Sequence, residues 1–198
     1  MFDTLGNRKK GSFVVVQESS LSRLLQHEAA LALGKIVITV GALFGASQVA
    51  IPFYPVPMTL QTLLIFIIGL TYTPREILSS VGGWLLLGAL GAPVFSSFSG
   101  GLTVLIGPKG GYFLGFLLAP LVMAFLRDQI PLEEVRGRLV WVALGSCIVF
   151  GSGLLVLASF VGFEQAVSLG LYPFVIGDLL KMGIAVAVSA SVSTPKTK

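Results

Sequence analysis

The chain has 198 residues, a formal net charge of +4, 55% hydrophobic residues and only 11% charged residues, with a mean hydropathy of +0.93. Soluble domains carry about 25% charged residues, so this composition excludes an ordinary cytosolic domain, a disordered tail and a nucleic-acid binder. One cysteine, Cys147, excludes an internal disulfide, and one histidine, His27, excludes a histidine metal cluster. An integral membrane protein remains.

Residues 1–30 read as a cytoplasmic N-terminal arm. Arg8, Lys9 and Lys10 are followed only by the short patch Phe13 to Val16, whereas a signal-peptide core needs about 7–15 apolar residues. Glu18, Arg23, His27 and Glu28 come next, and Leu21, Leu24 and Leu25 are expected to form an interfacial amphipathic turn.

A spanning helix needs about 20 mostly apolar residues. Residues 36–74, 77–108, 110–126 and 139–163 carry no charge, and the last apolar run, 172–192, carries only Asp178 and Lys181. Proline and glycine divide these runs at Pro52-Phe53-Tyr54-Pro55-Val56-Pro57 and at Gly91-Ala92-Pro93, because proline cannot continue a helix. The expectation is an all-α integral membrane protein with six transmembrane helices over 31–51, 59–73, 75–91, 110–127, 138–162 and 173–193. Together they make a membrane domain over 31–193, followed by a cytoplasmic tail at 194–198. No run shows the polar and apolar alternation of membrane strands.

Lysine and arginine in short loops set orientation. With the N-terminus inside, Arg8, Lys9, Lys10, Arg23, Arg75, Arg127, Arg136, Arg138, Lys196 and Lys198 fall inside, and only Lys109 falls in an outer loop. Both termini are therefore expected to be cytoplasmic, and the protein multi-pass in the cytoplasmic (inner) membrane, in contact with lipid.

Asp178 and Lys181 lie three apart and share a helix face. Each costs roughly 2.5–3.5 kcal/mol at mid-membrane. They form either a self-satisfied ion pair that locks the bundle or a polar site facing an outward-open cavity; the second is preferred, because an apolar pair serves stability more cheaply. Lys35, near the inner end of the first span, can snorkel to the interface. Ala42, Ala46 and Ala50 repeat every four residues beside Gly41 and Gly45, which suits either close helix packing within the bundle or a docking face for a partner.

The segment from Gly91 to Gly111, GAPVFSSFSGGLTVLIGPKGG, is long enough for a folded lid. Its end is not a phosphate loop, since the Gly-Lys-[Ser/Thr] ending is missing. There is no HExxH, nucleophile elbow or paired-aspartate motif. A dyad of Lys181 with a serine has no catalytic signature behind it. No catalytic residue and no metal site is expected.

PVPMTLQ (Pro55 to Gln61), GALGAPVF (Gly88 to Phe95), SGGLTVLIGPKGGY (Ser99 to Tyr112) and GDLLK (Gly177 to Lys181) together resemble the BioY family. This family supplies the biotin-specific substrate-binding (S) components of energy-coupling factor (ECF) transporters. The resemblance covers about residues 30–193, with the motifs in family order. It implies a six-helix S-component that binds biotin from outside in a pocket capped by the first and third connecting loops. It also implies a transmembrane coupling protein and two ATPase subunits as partners, with Ala42, Ala46 and Ala50 on the docking helix. The ligand-contacting aspartate and lysine of the family fall on Asp178 and Lys181. The chain departs from the family at Lys109, where a small or hydroxyl residue is more usual, and its only asparagine is Asn7.

Biotin has an apolar ring and chain, a urea head with two donors and one acceptor, and a carboxylate. Asp178 can accept from the urea N–H groups and Lys181 can donate to its oxygen. Phe53, Tyr54, Phe95, Trp84 and Tyr112 are candidate walls, and Tyr112 and Gln61 candidate hydrogen-bonding groups. The carboxylate would pair with Lys181 or with Lys109. No cofactor is expected. Alternatives are an S-component for another small vitamin, a solitary biotin carrier, and a membrane-embedded hydrolase.

Overall fold

A computed structural model describes residues 5–129 and 135–192, with side chains from residue 26 onward except 128 and 192. The expected tail at 194–198, the start of the arm and the side chains of Leu21, Leu24 and Leu25 lie outside the described residues. The chain divides into two compact units, Met1–Val37 and Ile38–Lys198. Among the described residues the first unit is helical throughout.

Helix α1 covers Leu5–Gln48, so it starts well before residue 31. Nothing interrupts it: the first proline is Pro52, and the stretch from Leu21 to Leu33 is rich in leucine and alanine, which are strong helix formers. Ile51 precedes Pro52 and is therefore extended; Ala50–Ile51 (β1) pairs antiparallel with Met58–Thr59 (β2). Helix α2 spans Gln61–Thr71 and α3 spans Pro74–Ala89. Only Tyr72 and Thr73 separate them. Arg127 donates to the carbonyls of Gly69 and Tyr72 at the C-terminus of α2. Thr73 and Glu76 form a capping box that starts α3, with Pro74 in its first turn.

The long connection after α3 folds, as its length suggested. It holds a 3₁₀ turn at Ser96–Phe98 and the short helix α4, Leu102–Ile106. Then come α5 (Gly110–Gln129), α6 (Val135–Val161), α7 (Phe163–Gly170) and α8 (Val175–Val192). The segments α4 and α7 were not expected. Among the described residues, the regular structure apart from the two-residue strand pair is helical.

Among the described residues, four segments are long and apolar enough to cross a membrane: Gln26–Gln48, Gly110–Arg127, Val135–Val161 and Phe163–Ser191. The second and third expected spans correspond to shorter helices. With 11 and 16 residues they rise about 16 and 24 Å, against a hydrocarbon core of about 30 Å.

Helix α2 is central in the second unit and packs against α5, α8 and α6, while α5 pairs most extensively with α6. Glycines set that pairing. A Cβ on Gly115 would come within 2.7 Å of the Val149 Cα, and one on Gly111 would strike the Ser152 carbonyl. Small residues four apart let two backbones approach this closely. Buried aromatics fill the interior around Trp84, Phe95, Phe113 and Phe116, and a second cluster holds Phe66, Met123 and Trp141. Large apolar side chains such as Leu86, Leu155, Ile176 and Leu180 point outward, as a hydrocarbon solvent allows.

Candidate functional site

The polar centre begins with two helices. Asp178 and Lys181 sit one turn apart on α8, and Thr62 stands on the facing side of α2; all three are buried. The Lys181 Nζ donates to Asp178 Oδ1 over 2.6 Å and to Thr62 Oγ1 over 3.0 Å. The Thr62 hydroxyl in turn donates to Asp178 Oδ1 over 3.1 Å. The triangle closes on one carboxylate oxygen. Asp178 Oδ2 is buried without a hydrogen-bond partner, and one of the three lysine donors is left over. Because this pair is desolvated in a low-dielectric interior, its polar atoms gain strongly from a complementary ligand.

Gln61, one residue before Thr62, adds a donor. Its Oε1 accepts from the Thr59 hydroxyl over 2.8 Å, while its Nε2 is buried and unpartnered. Thr59 Oγ1 also accepts from the Gln61 backbone N–H, so the strand pair and the start of α2 hold the amide in place.

These groups line one cavity that opens to the surface. Its walls are mostly apolar: Val56, Pro57, Tyr112, Phe113, Phe116, Val149, Phe150 and Phe174, with Thr59, Ser96 and Lys109 adding polar atoms. Tyr112, Phe113 and Phe116 share a face of α5 by their three- and four-residue spacing. Burial lowers the pKa of Lys109 below its ordinary 10.5, since desolvation disfavours the ammonium.

Four of the six expected ligand residues, Asp178, Lys181, Gln61 and Tyr112, come together on this cavity, and so does Lys109. The Tyr112 hydroxyl donates to the Gly170 carbonyl over 2.8 Å, so its ring faces the cavity while its oxygen ties α5 to the end of α7. Trp84 and Phe95 lie one layer behind. Both are fully buried, with ring centroids 5.1 Å apart in an edge-on contact, and Phe95 packs at a tilt against the wall residue Phe113, centroids 4.4 Å apart. Phe53 and Tyr54 are exposed. Thr62 was missed by sequence reasoning; its position directly after Gln61, in a motif already singled out, was the available signal.

The segment Val94 to Phe98 covers the cavity through Ser96. It is fastened from α1 and α3: Ser47 Oγ donates to the Val94 carbonyl over 3.0 Å, Gln48 Nε2 to the Phe95 carbonyl over 3.0 Å, and Trp84 Nε1 to the Val94 carbonyl over 3.2 Å. The Phe98 N–H donates back to Gln48 Oε1 over 3.2 Å. The expected docking residues lie earlier on this path. Ala42 is exposed and Ala46 half-buried on α1, and a Cβ on Gly41 or Gly45 would meet nothing within 4 Å. Ala50 is exposed but lies past the helix end, in β1.

The family model described as the BioY family matches residues 17–197. The chain belongs to the BioY family. A Thermotoga maritima relative named biotin transporter BioY is 36% identical over 154 residues, covering 77% of this chain and 87% of that one. A Lactococcus lactis relative named biotin transporter BioY2 is 33% identical over 153 residues, covering 76% and 81%. Among solved structures, the S-component for biotin from an ECF-type ABC transporter superposes with a TM-score of 0.74 at 23% identity, over 84% of this chain and 92% of that one. The fold is thus that of an S-component, a BioY architecture with the polar triangle at its centre.

Proposed function

We propose that this chain captures biotin and serves its uptake across the membrane as the S-component of an ECF-type transporter. It is a transport subunit and not an enzyme, with biotin as its cargo and no cofactor. Membership of a family whose relatives carry the name biotin transporter supports this reading. The observation that carries it at the level of residues is the pair of unpartnered buried atoms, Asp178 Oδ2 and Gln61 Nε2, on one aromatic-walled cavity. A cyclic urea brings N–H donors and a carbonyl acceptor together, which are the complements of a lone carboxylate oxygen and an amide N–H. The thiophane ring and alkyl chain suit the phenylalanine walls.

In this reading α1, α2, α3, α5, α6 and α8 are the six membrane-crossing elements, with both termini cytoplasmic. The loop charge distribution supports that orientation. The two-residue turn between α2 and α3 supports a hairpin that enters and leaves on one side. Membrane location is the cytoplasmic membrane. A transmembrane coupling protein docked on α1 at Ala42 and Ala46 and on the adjoining strand residue Ala50, and two ATPase subunits supplying ATP hydrolysis, complete the machine.

Native mass spectrometry of the detergent-purified chain, followed by isothermal titration with biotin after removal of any bound molecule, tests the reading. The expected result is one biotin per chain and saturable binding. Retention of a different vitamin, with no heat on adding biotin, would move the chain to another cargo.

A further inference from the structure

We infer that Lys109 receives the terminal carboxylate of the ligand and makes the cavity selective for the free monocarboxylic acid over its ester or amide. This rests on the reading of the cavity as a biotin site, and it goes further by assigning the two ends of the ligand.

Three charged side chains line the cavity: Lys109, Asp178 and Lys181. Two of them neutralise each other, with Lys181 Nζ 2.6 Å from Asp178 Oδ1 and Thr62 bonded to both. Lys109 has no hydrogen bond or ion pair through its ammonium to any described residue. The wall therefore carries one uncompensated positive charge, and that charge is already partly stripped of water. A ligand bearing a single negative charge restores neutrality and offsets the desolvation; a neutral ligand leaves both costs in place.

The alternative partner for the carboxylate is Lys181. Placing it there would bring a second carboxylate beside Asp178, whose oxygen already occupies the lysine at 2.6 Å. Like charges sharing a low-dielectric site repel. A urea N–H on Asp178 Oδ2 meets no such penalty. The two polar stations thus take different ends: α8 and α2 hold the urea, and the turn between α4 and α5 holds the acid. Lys109 also opens α5, where its carbonyl accepts from Tyr112 and Phe113, and the start of a helix favours negative charge.

The test compares biotin with biotin methyl ester by isothermal titration on the purified full-length chain. The wild type is expected to prefer biotin by about ten- to a hundredfold, the range of a charge-assisted hydrogen bond. Lys109→Met should bring that ratio close to one, and Lys109→Arg should keep it well above one. A wild type that binds the ester as tightly as the acid overturns the assignment without any variant, and leaves the biotin reading standing. A Lys109→Met ratio equal to the wild-type ratio also overturns it, placing the acid elsewhere in the same cavity. Absence of binding for both ligands in the wild type overturns the biotin reading itself, and with it the role of Lys109.

Discussion

The Thr62 hydroxyl on α2 donates to Asp178 on α8 over 3.1 Å, across 116 residues of sequence. This bond, with the Lys181 contact to the same hydroxyl at 3.0 Å, ties the ion pair to the central helix. Replacing the hydroxyl by a methyl removes one partner from each charged group. Thr62→Val is therefore expected to weaken biotin binding by roughly ten- to a hundredfold, whereas Thr62→Ser restores most of it. Titration calorimetry on both variants decides; equal affinities for valine and wild type would remove Thr62 from the site.

Asp178→Ala and Lys181→Ala should each lower biotin affinity by a similar roughly ten- to a hundredfold, while the chain still inserts. If the pair served only to lock the bundle, each single change would strand a buried charge and harm folding, and the double change Asp178→Leu with Lys181→Met would recover both stability and binding. Calorimetry beside a thermal-stability assay separates the patterns, and full affinity in the double variant is the result that excludes these residues from the ligand.

These two charges were legible in the sequence because a charge in an apolar run is expensive and has few neutral explanations. Gln61 and Tyr112 were legible through their motifs. Thr62 was not: a threonine is cheap in an apolar helix, and its role depends on the approach of α2 to α8, which no local spacing encodes. Trp84 and Phe95 show a different limit, since aromatic character signals a wall but not which layer of it. The short helices α4 and α7 carry too few residues for a periodic signal. The early start of α1 was hidden by its charges, which drew attention to solvent and away from helix propensity.

Tyr112 is seated by glycines. A Cβ on Gly153 would run into its ring, and one on Gly170 would strike its hydroxyl. Gly153→Ala is expected to displace the ring at a cost of about 1–3 kcal/mol, seen as a lower unfolding midpoint and weaker biotin binding. Tyr112→Phe keeps the ring and loses only the bond to the Gly170 carbonyl, so its stability loss should be smaller, about 1 kcal/mol. An unchanged midpoint for Gly153→Ala would show that the ring moves freely.

The docking face proposed on α1 predicts a separation of binding from transport. Ala42 is exposed, and its neighbour Gly41 has open space beside it, so Ala42→Trp should leave biotin affinity within about twofold in the isolated chain. It should impair assembly with the coupling protein, because bulk on a small-residue face holds a partner helix away. Co-purification with the coupling protein and uptake assays read this out; normal assembly and uptake of the tryptophan variant would place the contact elsewhere.

Orientation is testable at two exposed positions. In a chain with Cys147 replaced by serine, Tyr54→Cys should react with an impermeant thiol reagent in intact cells, and Arg75→Cys should react only after the membrane is opened. The reverse pattern would invert every loop.

The cover from Val94 to Phe98 hangs from Ser47 and Gln48 on α1 and from Trp84 on α3, whereas the cavity-lining ion pair belongs to α8 and is braced by α2. The two sets of bonds share no residue. A tilt of α1 would strain the fastenings of the cover and leave the bonds among Thr62, Asp178 and Lys181 intact. On the proposed reading, the bonds where α1 ends bear on the height of the barrier to entry, whereas the depth of the well rests on α8, α2 and Lys109. Such a molecule can change how fast it loads and unloads without changing how tightly it holds.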